Sequence, residues 1–173
     1  MKTLYILASP RKNGACETLF ALLKDRWPGE SIRVYEKKIF PCVGCDRCRE
    51  EKKCFIEDDM TEIYEKMKNA SRMIVLSPVY FFGFPAPLKA LIDRTQVFWH
   101  HPLPKTKTLL CVMAGEMPNQ SFLPFYEKIW HYLAQNWGAE RQKFILAGNM
   151  KPPFVFSEAF LNQCHEFLKG SEA

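Results

Sequence analysis

An α/β fold built on one doubly wound parallel sheet is what this sequence predicts, and three observations carry the prediction. Short apolar runs recur five times, at residues 3–8 (TLYILA), 31–36, 72–76, 108–114 and 143–147. Each run is followed by a stretch whose apolar residues return at helical spacing. Strands that alternate with helices in this way build a parallel sheet with helices on both faces. The third observation is the central run Met73-Ile74-Val75-Leu76, which reads as a buried strand and stops at Ser77-Pro78.

Taken in order, strand one delivers a loop at residues 9–14, and a helix carrying Leu19, Phe20, Leu22 and Leu23 follows. Strand two alternates Ile32 and Val34. A cysteine-rich loop, 41–56, is inserted after it. A helix then starts near Asp58-Asp59, where carboxylates suit an N-terminus, and Met60, Ile63, Tyr64 and Met67 recur at helical spacing. Pro87 opens the helix after strand three, which is expected to bury Leu88, Leu91, Ile92 and Phe98. The helix after strand four starts near Ser121, with Phe122, Phe125, Ile129 and Leu133 on one stripe. Ser157 caps a last helix that turns Phe160, Leu161, Cys164 and Phe167 inward. The Pro-rich stretch 100–107 reads as a rigid surface turn rather than a boundary. With no repeat or linker, the expectation is one domain over residues 1–173.

Composition narrows the function classes. At 47% hydrophobic and 25% charged residues, the chain is ordinary for a globular domain. Its net charge of +5 comes from scattered Lys and Arg, weak evidence for acidic ligands such as phosphates, and no nucleic-acid module pattern is present. No apolar run approaches a membrane span, and the apolar N-terminal stretch fits a first strand better than a cleaved signal. Seven cysteines without an export signal point to the cytoplasm and to reduced thiols.

Two loops carry chemistry. After strand one stands Ser9-Pro10-Arg11-Lys12-Asn13-Gly14-Ala15-Cys16-Glu17-Thr18, a loop running into a helix N-terminus, where unpaired N–H groups and the helix dipole favour anions. Arg11 and Lys12 add charge, Gly14 permits a tight turn, and Ser9 and Thr18 offer hydroxyls. It is neither the dinucleotide glycine fingerprint nor a Walker A loop, and a solvated basic turn is the competing reading. After strand three, Tyr80, Phe81 and Phe82 surround a Pro/Gly-punctuated turn at the carboxyl edge of the sheet, where open α/β folds bind ligands. Those aromatics suggest a flat ligand, and a flavin fits.

The third feature is Cys42-x-x-Cys45-x-x-Cys48 followed by Cys54. Two-residue gaps let neighbouring thiolates reach adjacent metals of a cubane, and Gly44 helps the loop fold around it. Zinc prefers two separated pairs and a disulfide network is out of keeping with the cytosol, but a loop of reduced thiols without metal stays open. Cys111 and Cys164 are explained by packing. The spacing of His100, His101, His131 and His165 suits neither a metal site nor a triad, which leaves them surface or packing roles. Asp93-Arg94 reads as an ion pair, local or across a subunit contact. Trp27, Trp99, Trp130 and Trp137 cover the core or a subunit contact.

The segments SPRKNG, beginning at Ser9, and SPVYFFGFPAPLKALIDR, beginning at Ser77, resemble the flavodoxin-like NADPH-dependent FMN reductase superfamily. The cysteine loop is similar to that of its iron–sulfur flavoprotein branch, although Phe55 stands where bacterial ferredoxins have Pro. The resemblance implies a three-layer flavodoxin-like sandwich with strand order 2-1-3-4-5. It implies FMN with its phosphate at Ser9, Arg11, Asn13, Gly14, Ala15, Cys16 and Thr18. The ring would lie along Pro78, Val79, Tyr80, Phe81, Phe82 and Gly83, with the four amides from Tyr80 to Gly83 donating to it. A third loop, Ala114-Gly115-Glu116-Met117-Pro118-Asn119, would close the far side through Gly115 and Glu116. A [4Fe–4S] cluster on Cys42, Cys45, Cys48 and Cys54 is implied as well. Two departures stand out: Cys16 replaces a usual Thr or Ser, with Thr18 as a substitute hydroxyl, and the third loop is not glycine-rich.

The activity so implied is transfer of electrons from NAD(P)H through FMN to a flavin, quinone or similar acceptor, with no acid–base catalyst. An electron carrier that passes single electrons from a cluster to FMN and a protein partner such as ferredoxin is the alternative. A binding module that has lost its cofactor is a third reading. By analogy, a homodimer or homotetramer would cover the open flavin edge.

Overall fold

The computed structural model describes residues 2–116 and 120–170. Its strands are β1 (Thr3–Leu7), β2 (Gly29–Arg33), β3 (Arg72–Pro78), β4 (Lys107–Ala114) and β5 (Ala139–Ala147). Its helices are α1 (Ala15–Arg26), α2 (Cys48–Glu51), α3 (Met60–Asn69), α4 (Ala86–Arg94), α5 (Gln96–His100), α6 (Leu123–Asn136) and α7 (Glu158–Lys169). The five strands lie in the order β2-β1-β3-β4-β5, and every pair is parallel. Fold class and strand order agree with the sequence reading.

Strand residues alternate between two cores, as the period-2 geometry of a strand requires. Leu4, Ile6, Met73 and Val75 pack with Met60, Ile63 and Met67 of α3, Leu88 and Leu91 of α4, and α6. Tyr5, Leu7, Ile74 and Leu76 face the opposite way, against Leu19, Phe20 and Leu23 of α1 and Cys164 and Leu168 of α7. Trp27, Trp130 and Trp137 are buried in these layers, whereas Trp99 is exposed.

Five details depart from the sequence expectation, the first being that the helix expected to include Phe98 ends at Arg94, so that Phe98 lies in α5. Strand β2 ends at Arg33, because its neighbour β1 ends at the Leu7–Arg33 pair; Val34–Glu36 then turn as a 3-10 helix. Leu22 is exposed, since Leu19, Phe20 and Leu23 already fill the buried face of α1. Strand β5 begins earlier, at Ala139, where it pairs with Lys107 across an irregularity. The inward row of α6 is Tyr126, Trp130 and Ala134, with Phe122 and Phe125 exposed. The i, i+4, i+8 row that meets the sheet carries two amphipathic aromatics, so the stripe drawn through Phe125, Ile129 and Leu133 lies one step off. Ser157 caps α7 as expected, its Oγ accepting from the Phe160 amide at 3.2 Å.

Candidate functional site

The β1, β3 and β4 strands all end at one edge, and their loops converge there. Gly14 caps α1 with extended backbone and no side-chain cap, so the helix N-terminus faces the loop rather than a capping oxygen. A Cβ on Gly14 would lie 3.1 Å from the Arg11 Cβ, so glycine lets Arg11 fold over the turn. The Ser9 Oγ accepts from the Arg11 amide at 3.2 Å. Glu17, in the first turn, would repel an anion, but Arg33 grips it with two bonds of 2.7 Å. That grip holds the Glu17 carboxyl below its ordinary pKa and offsets its charge.

A cavity of about 610 Å³ opens over this edge. One end is lined by Ser9, Arg11, Gly14, Ala15 and Cys16, and the other by Pro78, Val79, Tyr80, Gly115 and Glu116. A further wall escaped the sequence reading: Met150, Lys151, Pro152 and Phe154, from the loop after β5. Lys151 Nζ reaches Glu116 Oε1 at 3.2 Å and ties that wall to the third loop. No local motif marks these residues, and their position at the end of a fifth parallel strand was the only available signal. Two residues expected from the phosphate loop do not line the cavity. Asn13 is exposed, and the Thr18 hydroxyl donates to the Gly14 carbonyl at 3.3 Å, an i−4 bond within the helix. Cys16 does line it, but burial, with the nearby Glu17 charge, pushes its thiol up to about 12. At pH 7 it is a neutral, weak donor.

The turn between β3 and α4 divides this cavity from a second. Tyr80 and Gly83 exchange amide bonds of 3.0 and 2.9 Å, so their N–H groups are taken by the turn itself. The expectation that all four amides of the turn face a ring is therefore corrected: only those of Phe81 and Phe82 stand at the tip. Both residues have left-handed backbone, φ 46° and 57°, in a turn that normally selects Asn-Gly. For a bulky L-residue that conformation costs about 1–2 kcal/mol each. Phe81 is fully exposed, and the Phe82 ring lies 4.7 Å from that of Phe122.

Phe81 and Phe82 line the second cavity, about 310 Å³, with Val79, Gly115, Glu116, Phe122, Tyr126 and Leu146; Gly83 lines neither. Val79 and Gly115 form the seam between the two cavities, where a Cβ on Gly115 would sit 3.1 Å from that of Val79. The buried Tyr126 hydroxyl has no hydrogen-bond partner among the described residues. Gly115 and Glu116 are described, whereas Met117, Pro118 and Asn119 of the expected third loop lie outside the described residues.

Cys42, Cys45, Cys48 and Cys54 ring a cavity of about 540 Å³, and none is in a disulfide. Left-handed backbone at Gly44, Asp46 and Lys52 bends the loop around it. The two ends of the loop are joined by a buried ion pair. Arg94, at the end of α4, donates to Asp58 at 2.6 and 3.2 Å, to the Phe40 carbonyl at 2.9 Å and to the Ile56 carbonyl at 3.0 Å. Asp58 in turn accepts from the Phe40 and Met60 amides, both at 2.9 Å. Burial disfavours the charge on each partner, but these bonds outweigh it, so Asp58 titrates below its ordinary value and Arg94 above. The local Asp93–Arg94 pair does not form: Asp93 takes Lys89 at 2.6 Å. His100 bonds Asp46 at 2.9 Å and His101 bonds the Arg49 carbonyl at 2.8 Å, so this pair anchors the loop from α5.

Among the described residues no three His, Cys, Asp or Glu side chains converge on one ion. A single zinc needs four donors about 2.0–2.3 Å from one point. A cubane instead gives each thiolate its own iron, which suits four thiols spread around a cavity. One observation adds to the fit: the buried Arg94 Nε has no acceptor among the described residues, although Arg94 lines the same cavity.

The sequence profile of the NADPH-dependent FMN reductase family matches residues 1–124, which span the β1 loop, the cysteine loop and the β3 turn. The chain belongs to that family. Within the NADPH-dependent FMN reductases, it is similar to an iron–sulfur flavoprotein of Methanosarcina thermophila, 41% identical over 100 residues, 55% of this chain and 52% of the relative. An iron–sulfur flavoprotein of Methanocaldococcus jannaschii is 44% identical over 101 residues, 56% of this chain and 52% of the relative. The chain thus spans about half the length of the curated relatives it matches. In three dimensions it superposes on an NAD(P)H:quinone oxidoreductase from Methanothermobacter marburgensis with a TM-score of 0.67, covering 99% of this chain and 97% of the other. At 11% identity, that likeness speaks for the fold alone.

Proposed function

We propose that this chain is an FMN-dependent oxidoreductase that draws electrons from NAD(P)H and delivers them to a flavin, a quinone or a similar planar acceptor. The observation that carries the reading is the larger cavity, with an uncapped helix N-terminus and Arg11 at one end and the Pro78–Tyr80 wall at the other. FMN supplies hydride and single-electron chemistry when bound. Amides of the first turn of α1, Ser9 and Arg11 would hold its phosphate. Pro78, Val79, Tyr80, Gly115 and Glu116 would border its ring, and the Phe81 and Phe82 amides are the turn's remaining donors toward it. The smaller aromatic cavity, with the unpartnered Tyr126 hydroxyl, suits an acceptor carbonyl.

The four-thiol cavity favours a second reading, an electron carrier whose Cys42, Cys45, Cys48 and Cys54 hold a [4Fe–4S] cluster. Such a cluster supplies one-electron exchange with a partner such as ferredoxin. In either case the chain acts as one flavin-binding unit over residues 1–173, a cytoplasmic homodimer or homotetramer. Its exposed Phe81, Phe125 and Trp99 are candidates for a subunit contact. No helix among the described residues is long and apolar enough to cross a membrane.

Protein purified without oxygen decides between the two. Flavin absorption with steady NAD(P)H oxidation supports the oxidoreductase. About four irons per chain, as a cubane requires, with rapid reduction by ferredoxin and none by NAD(P)H, supports the carrier. A colourless protein that takes up no added FMN overturns both.

A further inference from the structure

We infer that Arg94 is a positioning residue of the four-thiol site, whose Nε–H donates to sulfur inside the cavity while its terminal nitrogens fasten the two ends of the loop. The inference rests on the reading that the loop holds a [4Fe–4S] cluster. A guanidinium carries five N–H donors in a fixed planar fork. Four of them are accounted for on Arg94: two bonds to Asp58, one to the Phe40 carbonyl and one to the Ile56 carbonyl. The fifth, on Nε, is buried and meets no acceptor among the described residues. Buried donors are rarely left unmatched, and Arg94 is among the residues that line the cavity ringed by Cys42, Cys45, Cys48 and Cys54.

Geometry restricts what can accept there. The planar fork is clamped on its far side by Asp58 and both loop ends, so Nε cannot swing to another partner without breaking four bonds. The side chains of Arg94 and Asp58 are wholly buried, which keeps water from competing. A thiolate or an inorganic sulfide in the cavity is an anionic acceptor of the right kind. Charge and hydrogen bonds at the sulfurs set a cluster's reduction potential, and a buried cation with an N–H donor favours the reduced, more negative form. Arg94 therefore holds the potential up.

The test uses the full chain, loaded with iron and sulfide without oxygen, as wild type and as R94K. Lysine keeps the positive charge but has neither the planar fork nor Nε–H. Iron and sulfide are assayed first, then the midpoint potential is read by redox titration. The expected result is wild-type iron content with the oxidised form of R94K favoured about tenfold at fixed applied potential, a fall of about 59 mV for a one-electron couple. An unchanged potential in loaded R94K overturns the role of Arg94. Wild type that binds no iron overturns the cluster reading instead, so the two failures are told apart. If R94K fails to fold or load, wild type grown with 15N-arginine serves in its place. Pulsed EPR of the reduced protein should then show a nitrogen coupling from arginine, and its absence overturns the proposal.

Discussion

Replacing Asp58 by asparagine probes how the cysteine loop is held, and the structure sets its cost. The Asp58 and Arg94 side chains are both 0% exposed, so the pair lies outside the regime of surface ion pairs. The D58N substitution would remove the charge and leave one oxygen to serve bonds that Asp58 now shares among Arg94, Phe40 and Met60. Breaking a buried pair by removing one partner costs about 3–5 kcal/mol, since the other charge is left uncompensated. A chain of this size loses about 2–4 °C per kcal/mol, which gives a fall in Tm of about 6–20 °C. The assay is thermal and urea unfolding of metal-free, thiol-reduced protein at pH 7. Asp58 titrates below its ordinary value of 3.8 when folded, so the pair's contribution is complete above that pH and disappears as the pH falls beneath it. The gap between wild type and D58N should therefore narrow in acid. A double variant, D58L/R94M, leaves no uncompensated charge but takes the partners from the Phe40 and Met60 amides and the Phe40 and Ile56 carbonyls, so it should recover only part of the loss. A D58N loss of about 1 kcal/mol or less, the worth of an exposed pair, would refute the argument.

Three further outcomes follow from the same geometry. Arg11→Ala should weaken FMN binding by about tenfold to a hundredfold, the worth of one charged hydrogen bond; a fluorescence-quenching titration with an unchanged Kd would remove Arg11 from the phosphate site. The double substitution Phe81→Asn and Phe82→Gly places the preferred residues in the left-handed turn, and should stabilise flavin-free protein by about 1–3 kcal/mol in urea unfolding. Acceptor turnover should fall in the same variant, because both rings line the smaller cavity. Native protein treated with iodoacetamide should be labelled at the exposed Cys42 and Cys45. Cys16 and Cys164, buried and with thiols pushed to about 12, should show no rise in labelling between pH 7 and 9, as mass spectrometry can establish.

Much of the fold was legible in the chain because its signals are local. The strand runs and helical periods of β1, β3, β4 and α3 report burial on a repeat of two or of 3.6 residues, and nothing distant alters them. The boundaries of β2 and β5 were less legible, since a strand ends where its neighbour ends, as β2 does beside Leu7. The face of α6 was misjudged for a related reason. Tyr126 and Trp130 count as half polar in sequence, yet the sheet beneath them accepts their rings.

At the candidate site the division is similar. Ser9, Arg11, Gly14, the Pro78 turn and the four cysteines announce themselves because each loop must carry its own chemistry within a few residues. The order of residues was enough to specify the α/β class, the strand count and these three loops. Docking of the elements settled the rest: Lys151 and Phe154 complete the larger cavity, Thr18 is spent on its own helix, and the Phe81-Phe82 turn separates two cavities. Docking also joined Arg94 to Asp58, 36 residues apart, and His100 to Asp46, 54 apart. Such pairings depend on where helices and strands come to rest, and an ion pair or a cavity wall leaves no period in the chain that encodes it.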